Sequence, residues 1–369
     1  MQAGDVAVIA LAGGEFGACQ VTDRVDLERA PAPTVGCMMR TIPLGRTGEQ
    51  VSELALGCML MGTSTSEADS FEMLERYHAA GGRFLDTADC YAWWSGPPTT
   101  GGESESLLGR WLRGTDRREE VFLATKGSAW VDDPAAVLAG RTTAAEQYAG
   151  AGGDTLRRAL DASLTRLGVD HVDLYYVHVD DLATPLEETL EALAGLVAAG
   201  KTRYIGWSNV QTWRLERIRG LCERYGWPAP VALQQEHSYL RKHPGAEKLS
   251  IAGDEQLRYL RAHDDLTLVA YSPILKGAYD DPAKRHGHDV FRAYAGADSE
   301  ARLAAVAKVA ADLGVTGNQV VLAWLRQQTG PRRVTLIGPR TLEQYDAAMA
   351  SLDLTLDAAV LATLDAAGA

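Results

Sequence analysis

Eight short, nearly unbroken apolar runs punctuate the chain after residue 50, and amphipathic segments separate them. The runs cover residues 54–59, 84–88, 121–125, 172–177, 202–208, 231–235, 266–272 and 334–338, and they are rich in Val, Leu, Ile and Tyr. A strand with one wet face alternates apolar and polar residues, whereas a strand covered on both faces does not. The pattern therefore predicts parallel strands buried beneath helices.

The intervening segments have helical periods and helical ends. Thr184-Pro185-Leu186-Glu187 reads as an N-cap Thr, a first-turn Pro and a Glu three residues on, which is a capping box. Leu186, Leu190, Leu193 and Val197 then recur on one face, and Gly200 closes the helix. Asp154 reads as the cap of a helix over 155–167, with Leu156, Leu160, Leu164 and Leu167 on one face. Ser66 starts a helix through Phe71, Leu74 and Tyr77 that stops at Gly81-Gly82.

Eight βα units without a break in composition favour one α/β domain, a closed (β/α)8 or TIM barrel, over a doubly wound sheet. A doubly wound nucleotide domain would carry G-x-G-x-x-G after its first strand. The first run here ends Leu56-Gly57-Cys58-Met59-Leu60-Met61-Gly62, and Gly13-Gly14-Glu15-Phe16-Gly17 also lacks that spacing. Residues 40–43 and 50–52 read as a short hairpin plugging the barrel floor. Residues 1–37, with the linker-like Ala30-Pro31-Ala32-Pro33, read as a poorly ordered extension or as the product of an upstream start codon. Met38 or Met39 then opens a single domain running to residue 369.

Lys plus Arg number 36 against 49 Asp plus Glu, a net charge of −13, which argues against a general phosphate-backbone binder but leaves room for one anionic ligand held by a few fixed groups. The five cysteines (Cys19, Cys37, Cys58, Cys90 and Cys222) form no C-x-x-C pair and fit reduced thiols in a cytoplasmic protein. No apolar run approaches the roughly 18 residues of a membrane span.

Barrel chemistry sits at the carboxyl ends of the strands. Those ends carry Asp86-Thr87-Ala88-Asp89-Cys90-Tyr91, Ala124-Thr125-Lys126-Gly127 and Tyr176-Val177-His178-Val179-Asp180-Asp181. Each residue alone has a structural explanation: an Asp can cap a helix, a Tyr can pack, a His can be a satisfied interior group. Together they define a site. A buried Lys126 needs a carboxylate, and Asp86 on the neighbouring strand is placed to supply it. A Tyr91 beside that ammonium should have its pKa drawn from about 10 toward working pH, as suits a proton donor and acceptor. A neutral His178 can orient a substrate oxygen.

These stretches resemble the aldo-keto reductases. Phe84 to Tyr91 and Glu103-Ser104-Glu105-Ser106-Leu107-Leu108-Gly109 are similar to the family's early signature. Ala124-Thr125-Lys126, Leu174-Tyr175-Tyr176-Val177-His178 and Gly200-Lys201-Thr202-Arg203-Tyr204-Ile205-Gly206-Trp207-Ser208-Asn209 follow in the family's order. The resemblance runs from about Arg40 to Leu354. It implies a barrel that binds NADPH, with NADH left open and no metal, and that reduces a small-molecule carbonyl by hydride transfer. Tyr91 would be the general acid, Lys126 and Asp86 would tune it, and His178 would place the carbonyl. Ser208, Asn209 and Gln234 match positions on the nicotinamide carboxamide, and Tyr271 matches the residue stacked on the ring. Ser272, Leu275 and Gly277 would wrap the pyrophosphate. Gly338, Arg340 and Gln344 would hold the adenosine end, Arg340 facing a 2′-phosphate. Thr341 and Gln344 also read as a capping box.

The chain departs from the family pattern at several places. Ala348 stands where members commonly carry an adenine-contacting Asn, and His237 where they often carry Tyr. The links after Tyr91 and after Gly127 are long and bear Trp93, Trp94 and Trp130, which either line a substrate pocket or seal the barrel edge. The alternative function is an NADPH-binding regulatory subunit with little turnover. A metal-dependent hydrolase on His178, Asp180 and Asp181 is the weakest reading, because the first strand has no H-x-H. No feature marks an oligomer interface.

Overall fold

A computed structural model of the protein describes residues 39–368 apart from 244, 247 and 286–288. The extension expected over residues 1–37 lies outside the described residues. Strands β1 (Thr41–Pro43) and β2 (Gln50–Ser52) form a separate antiparallel hairpin. The barrel strands follow: β3 (Leu54–Gly57), β4 (Phe84–Asp86), β5 (Phe122–Gly127), β6 (Val172–Val177), β7 (Thr202–Ser208), β8 (Ala232–Glu236), β9 (Thr267–Tyr271) and β10 (Arg333–Ile337). They close in the order β10-β3-β4-β5-β6-β7-β8-β9, and every pair is parallel. The expected (β/α)8 barrel and its N-terminal hairpin are both present.

The helices are α1 (Glu67–Ala79), α2 (Glu103–Thr115), α3 (Pro134–Leu138), α4 (Gly153–Leu167), α5 (Leu186–Ala198), α6 (Thr212–Tyr225), α7 (Asp254–Ala262), α8 (Asp289–Arg292), α9 (Ala297–Leu313), α10 (Gly317–Gln327), α11 (Leu342–Met349) and α12 (Ala358–Ala366). The unbroken apolar runs are explained by two cores. Phe84, Phe122, Leu174, Tyr176, Val269 and Val334 fill the barrel, while Leu56, Leu85, Leu123, Tyr175 and Leu233 face the helices. Against the outer face α4 presents Leu156, Leu160, Leu164 and Leu167, as its period predicts. The eight-unit reading did not anticipate the extra layer of α9 and α12, which packs with Tyr239, Tyr294 and Trp324 into a further apolar cluster.

The hairpin turn plugs the floor. Leu44 is fully buried against the barrel interior. Gly45 N donates to Thr267 Oγ1 at 2.8 Å, and Arg332 Nη1 donates to Gly45 O at 2.6 Å. Gly45 has φ +52°, and a Cβ there would collide with the Asp265 carbonyl.

Two caps differ from expectation. Ser66 caps α1 as predicted, accepting from Asp69 N. Thr184, however, forms no capping box: α5 starts at Leu186, and Thr184 Oγ1 donates to Asp181 Oδ2 at 2.7 Å. Asp154 lies inside the first turn of α4 rather than at its cap. Glu188 does the capping work from the next helix, accepting from Gly153 N at 2.8 Å. Among the described residues no single helix is long and apolar enough to cross a membrane.

Candidate active site

The carboxyl ends of β4, β5 and β6 set the site. Parallel pairing puts Asp86 opposite Ala124 and Lys126 opposite Tyr176, so the Lys126 side chain rises one step above Asp86. Lys126 is completely buried. Its Nζ donates to Asp86 Oδ1 at 2.5 Å, to Thr87 O at 2.7 Å and to Tyr91 Oη at 3.0 Å. Three acceptors match the three protons of an ammonium, which a buried charge requires. Asp86 Oδ2 accepts from Gln234 Nε2 at 2.8 Å, so Gln234 joins this cluster from β8. The His178 ring meets the Tyr91 ring edge-on, with centroids 5.6 Å apart.

The electrostatics correct one expectation. Tyr91 keeps a partly open face, but crowding of its hydroxyl by protein pushes the phenol up to about 12, with the Lys126 ammonium pulling the other way. Desolvation outweighs the ammonium, so Tyr91 is a protonated phenol rather than one drawn toward neutral pH. Burial alone would lower Lys126; Asp86 and Tyr91 reverse that and hold it above the ordinary lysine range. Burial, and then Lys126, keep His178 well below the ordinary histidine value, so its imidazole is neutral.

The residues matched to the nicotinamide lie together beside this cluster. Asn209 Nδ2 donates to His178 O at 2.8 Å and to Ser208 Oγ at 2.9 Å, and Tyr271 Oη donates to Asn209 Oδ1 at 2.8 Å. After β9 the backbone is contorted: Ser272, Leu275, Lys276 and Gly277 all have positive φ. A non-glycine residue in that region costs about 1–3 kcal/mol, and such residues cluster at ligand clamps. A Cβ on Gly277 would lie 3.0 Å from Lys284 Nζ and 3.8 Å from Asn318 Nδ2. Asn318 Oδ1 is buried with no hydrogen-bond partner. Lys284 and Asn318 were absent from the residues read as cofactor contacts. The close approach at Gly277 that joins them is tertiary, and the sequence offers no signal for it.

Arg340 and Gln344 lie exposed at the start of α11, with Gly338 exposed just before them. Thr341 caps this helix, accepting from Gln344 N at 3.3 Å. Gln344 Oε1 reaches back to Arg340 N at 2.9 Å rather than to Thr341 N, so the expected capping box is offset by one residue. Ala348 is buried in α11, and His237 is buried after β8.

The tryptophans divide. Trp93 is buried with Ala88, Cys90, Ala129 and Val131, where it seals the two long loops together. Trp130 packs beneath the Arg166 guanidinium, which lies 5.7 Å from its ring centroid. Trp94 meets Tyr91 edge-on, with centroids 6.1 Å apart.

Two further residues belong here and were not singled out from sequence. Cys90 Sγ lies 3.6 Å from His178 Nδ1. Asp89 is buried, and neither of its oxygens has a hydrogen-bond partner. Burial and then Glu105 push its carboxyl up to about 8, opposed by Arg166. Asp180 and Asp181, by contrast, are already engaged. Asp180 pairs with Arg214 at 2.7 Å, and Asp181 accepts from Ala151 N at 2.9 Å and from Thr184. The weak hydrolase reading loses both ligands.

A closed ring of parallel strands with a polar cluster at its carboxyl ends places the protein among the barrel enzymes. The model of the aldo/keto reductase family matches residues 53–369. An uncharacterized oxidoreductase, YrpG, of Bacillus subtilis is 32% identical over 87% of this chain and 94% of its own. Protein tas of Escherichia coli is 30% identical over 86% and 94%. The versiconal hemiacetal acetate reductase of Aspergillus parasiticus is 28% identical over 85% and 92%. Among solved structures, the thermostable aldo-keto reductase Tm1743, crystallised with the inhibitor epalrestat, superposes with a TM-score of 0.65 at 27% identity, covering 89% of this chain and 99% of that one. The chain belongs to the aldo/keto reductase family and is an oxidoreductase of that kind.

Proposed function

We propose that the protein reduces aldehydes or ketones to alcohols with NADPH, using Tyr91 as the general acid. The observation that carries this reading is the Tyr91–Lys126–Asp86 chain, with Tyr91 Oη 3.0 Å from Lys126 Nζ and Lys126 Nζ 2.5 Å from Asp86 Oδ1. NADPH, when bound, supplies a hydride to the carbonyl carbon. Tyr91 supplies the proton to the carbonyl oxygen. Lys126 stands ready to stabilise the phenolate left behind, and Asp86 keeps that ammonium charged. His178, neutral, donates a second hydrogen bond to the substrate oxygen through its free ring nitrogen. The buried, unpaired Asn318 Oδ1 and the strained Ser272–Gly277 stretch fit a dinucleotide, whose ribose hydroxyls donate and whose phosphates accept. Exposed Arg340 suits a 2′-phosphate and supports NADPH over NADH. The relative named a versiconal hemiacetal acetate reductase supports an organic carbonyl or hemiacetal substrate, and Trp94, in ring contact with Tyr91, would line its pocket. The free cysteines Cys58, Cys90 and Cys222 support a reducing, cytoplasmic setting, and residues 38–369 are read as one domain.

Steady-state oxidation of NADPH with 4-nitrobenzaldehyde tests the proposal. Tyr91→Phe should abolish turnover while NADPH binding, followed by fluorescence quenching, stays near the parent value. A variant turning over at the parent rate overturns the assignment. A parent that binds NADPH without turning over an aldehyde and ketone panel favours the regulatory reading instead.

A further inference from the structure

Asp89, Cys90 and His178 bring a carboxylate oxygen, a thiol sulfur and a ring nitrogen to within 4.8 Å of one another. Among the described residues this is the group of three such ligand atoms that converge. The spacing of two of them is informative. A tetrahedral zinc with Zn–S about 2.3 Å and Zn–N about 2.0–2.1 Å separates its sulfur and nitrogen ligands by roughly 3.6 Å. Cys90 Sγ and His178 Nδ1 are 3.6 Å apart. The third ligand is the unusual one. Asp89 is 1% exposed, yet both carboxyl oxygens lack a hydrogen-bond partner. Leaving a buried polar group unmatched is costly, so natural structures rarely do so without a reason. A shift of the carboxylate toward the Cys90–His178 pair would give up only the pull of Arg166 and a marginal contact with the Cys90 backbone N–H.

We propose that Asp89, Cys90 and His178 form a binding site for a thiophilic divalent cation, Zn2+ or Cd2+, whose occupancy blocks carbonyl reduction by drawing the His178 ring, through its Nδ1, out of line with the substrate oxygen. Bonds form from the metal to Asp89 oxygen, Cys90 sulfur and His178 nitrogen, and water departs from the ion. Cys90 releases its thiol proton to solvent, as does Asp89 if it enters protonated, and no group is oxidised or reduced. A divalent cation with one thiolate and one carboxylate is neutral overall, which suits a buried site. His178 is partly exposed, so solvent and an entering ion can reach the cluster. Only the inhibitory half of the proposal rests on the reductase reading; ion binding does not.

The test uses the full chain with no added thiol. Titration with Cd2+ should produce an ultraviolet thiolate-to-metal absorption that saturates at one ion per chain, and calorimetry with Zn2+ should give the same stoichiometry. Cys90→Ser should abolish the absorption and weaken Zn2+ by at least about tenfold, the lower range for losing even an outer-sphere contact. Asp89→Asn should weaken Zn2+ while keeping the absorption. A variant with Cys19, Cys37, Cys58 and Cys222 all changed to Ser should retain both signals. Zn2+ should inhibit aldehyde reduction by the parent, and Cys90→Ser should shift that inhibition to at least about tenfold higher Zn2+. Cys90→Ala replaces the Ser variant if circular dichroism shows the latter misfolded. No saturating absorption, or absorption that persists without Cys90, overturns the site. Stoichiometric binding with unaltered turnover overturns the inhibition. A parent without turnover sinks the reductase reading and leaves the ion site to be judged by absorption and heat alone.

Discussion

Lys126 shows how one residue couples stability to chemistry. Its ammonium is buried because Asp86, Thr87 and Tyr91 each accept one of its protons. Removing one partner of a buried ion pair leaves the other uncompensated, at a cost of about 3–5 kcal/mol. Lys126→Met should therefore lower the urea-unfolding free energy by roughly that amount, and turnover should collapse with it. Asp86→Asn combined with Lys126→Met should be more stable than the single variant, because the stranded charge is gone. A double variant no more stable than Lys126→Met would show that charge pairing is not what makes the lysine necessary. At this scale the identities of Asp86, Tyr91, Lys126 and His178 were legible from sequence order alone. The state of Tyr91 was not. The sequence places a cation beside the phenol, but the protein that crowds its hydroxyl comes from other strands and loops, and that burial prevails.

At the scale of elements, α2 bears two glycines with opposite roles. Gly109 lies where α2 crosses the end of α4: a Cβ there would collide with Arg166 O and lie 2.8 Å from Leu167 O. Both are backbone atoms and cannot swing aside. Gly114, on the exposed last turn, meets nothing within 4 Å. Gly109→Ala should destabilise the fold by about 1–3 kcal/mol through overpacking. Gly114→Ala should stabilise it by roughly 0.5–1 kcal/mol by helping the helix. Thermal melts of the two variants decide the matter, and shifts of the same sign would refute this account of the crossing. Element types and order were readable because the strand and helix periods differ. Cap chemistry was less so. Thr184 and Asp154 have the right local spacing, but Asp181, three residues before Thr184, and Glu188, brought close to Gly153 by folding, take the hydrogen bonds instead.

Across the whole molecule, the two ends of the barrel divide the work. Asp86, Tyr91, Lys126 and His178 gather at the carboxyl ends of the strands, while Leu44 and Gly45 close the floor. Gly45→Ala would set a side chain against the Asp265 carbonyl in a left-handed backbone, a loss of about 1–3 kcal/mol. Its melting temperature should fall while kcat and KM stay near the parent values, because the strain sits at the end away from the site. A drop in kcat without a drop in stability would contradict that division.

The sequence by itself determined the parallel barrel, the order of its strands and which polar residues gather at their carboxyl ends, because strand burial and strand-end chemistry are both written in short contiguous stretches. Folding alone decided that Trp93 is buried while Trp94 meets Tyr91, how Lys284 and Asn318 come to flank Gly277, and that Asp89 is buried beside Cys90 and His178. Those features depend on how segments pack together, and burial, which pushes Tyr91 up and His178 down, is a property of the assembled protein.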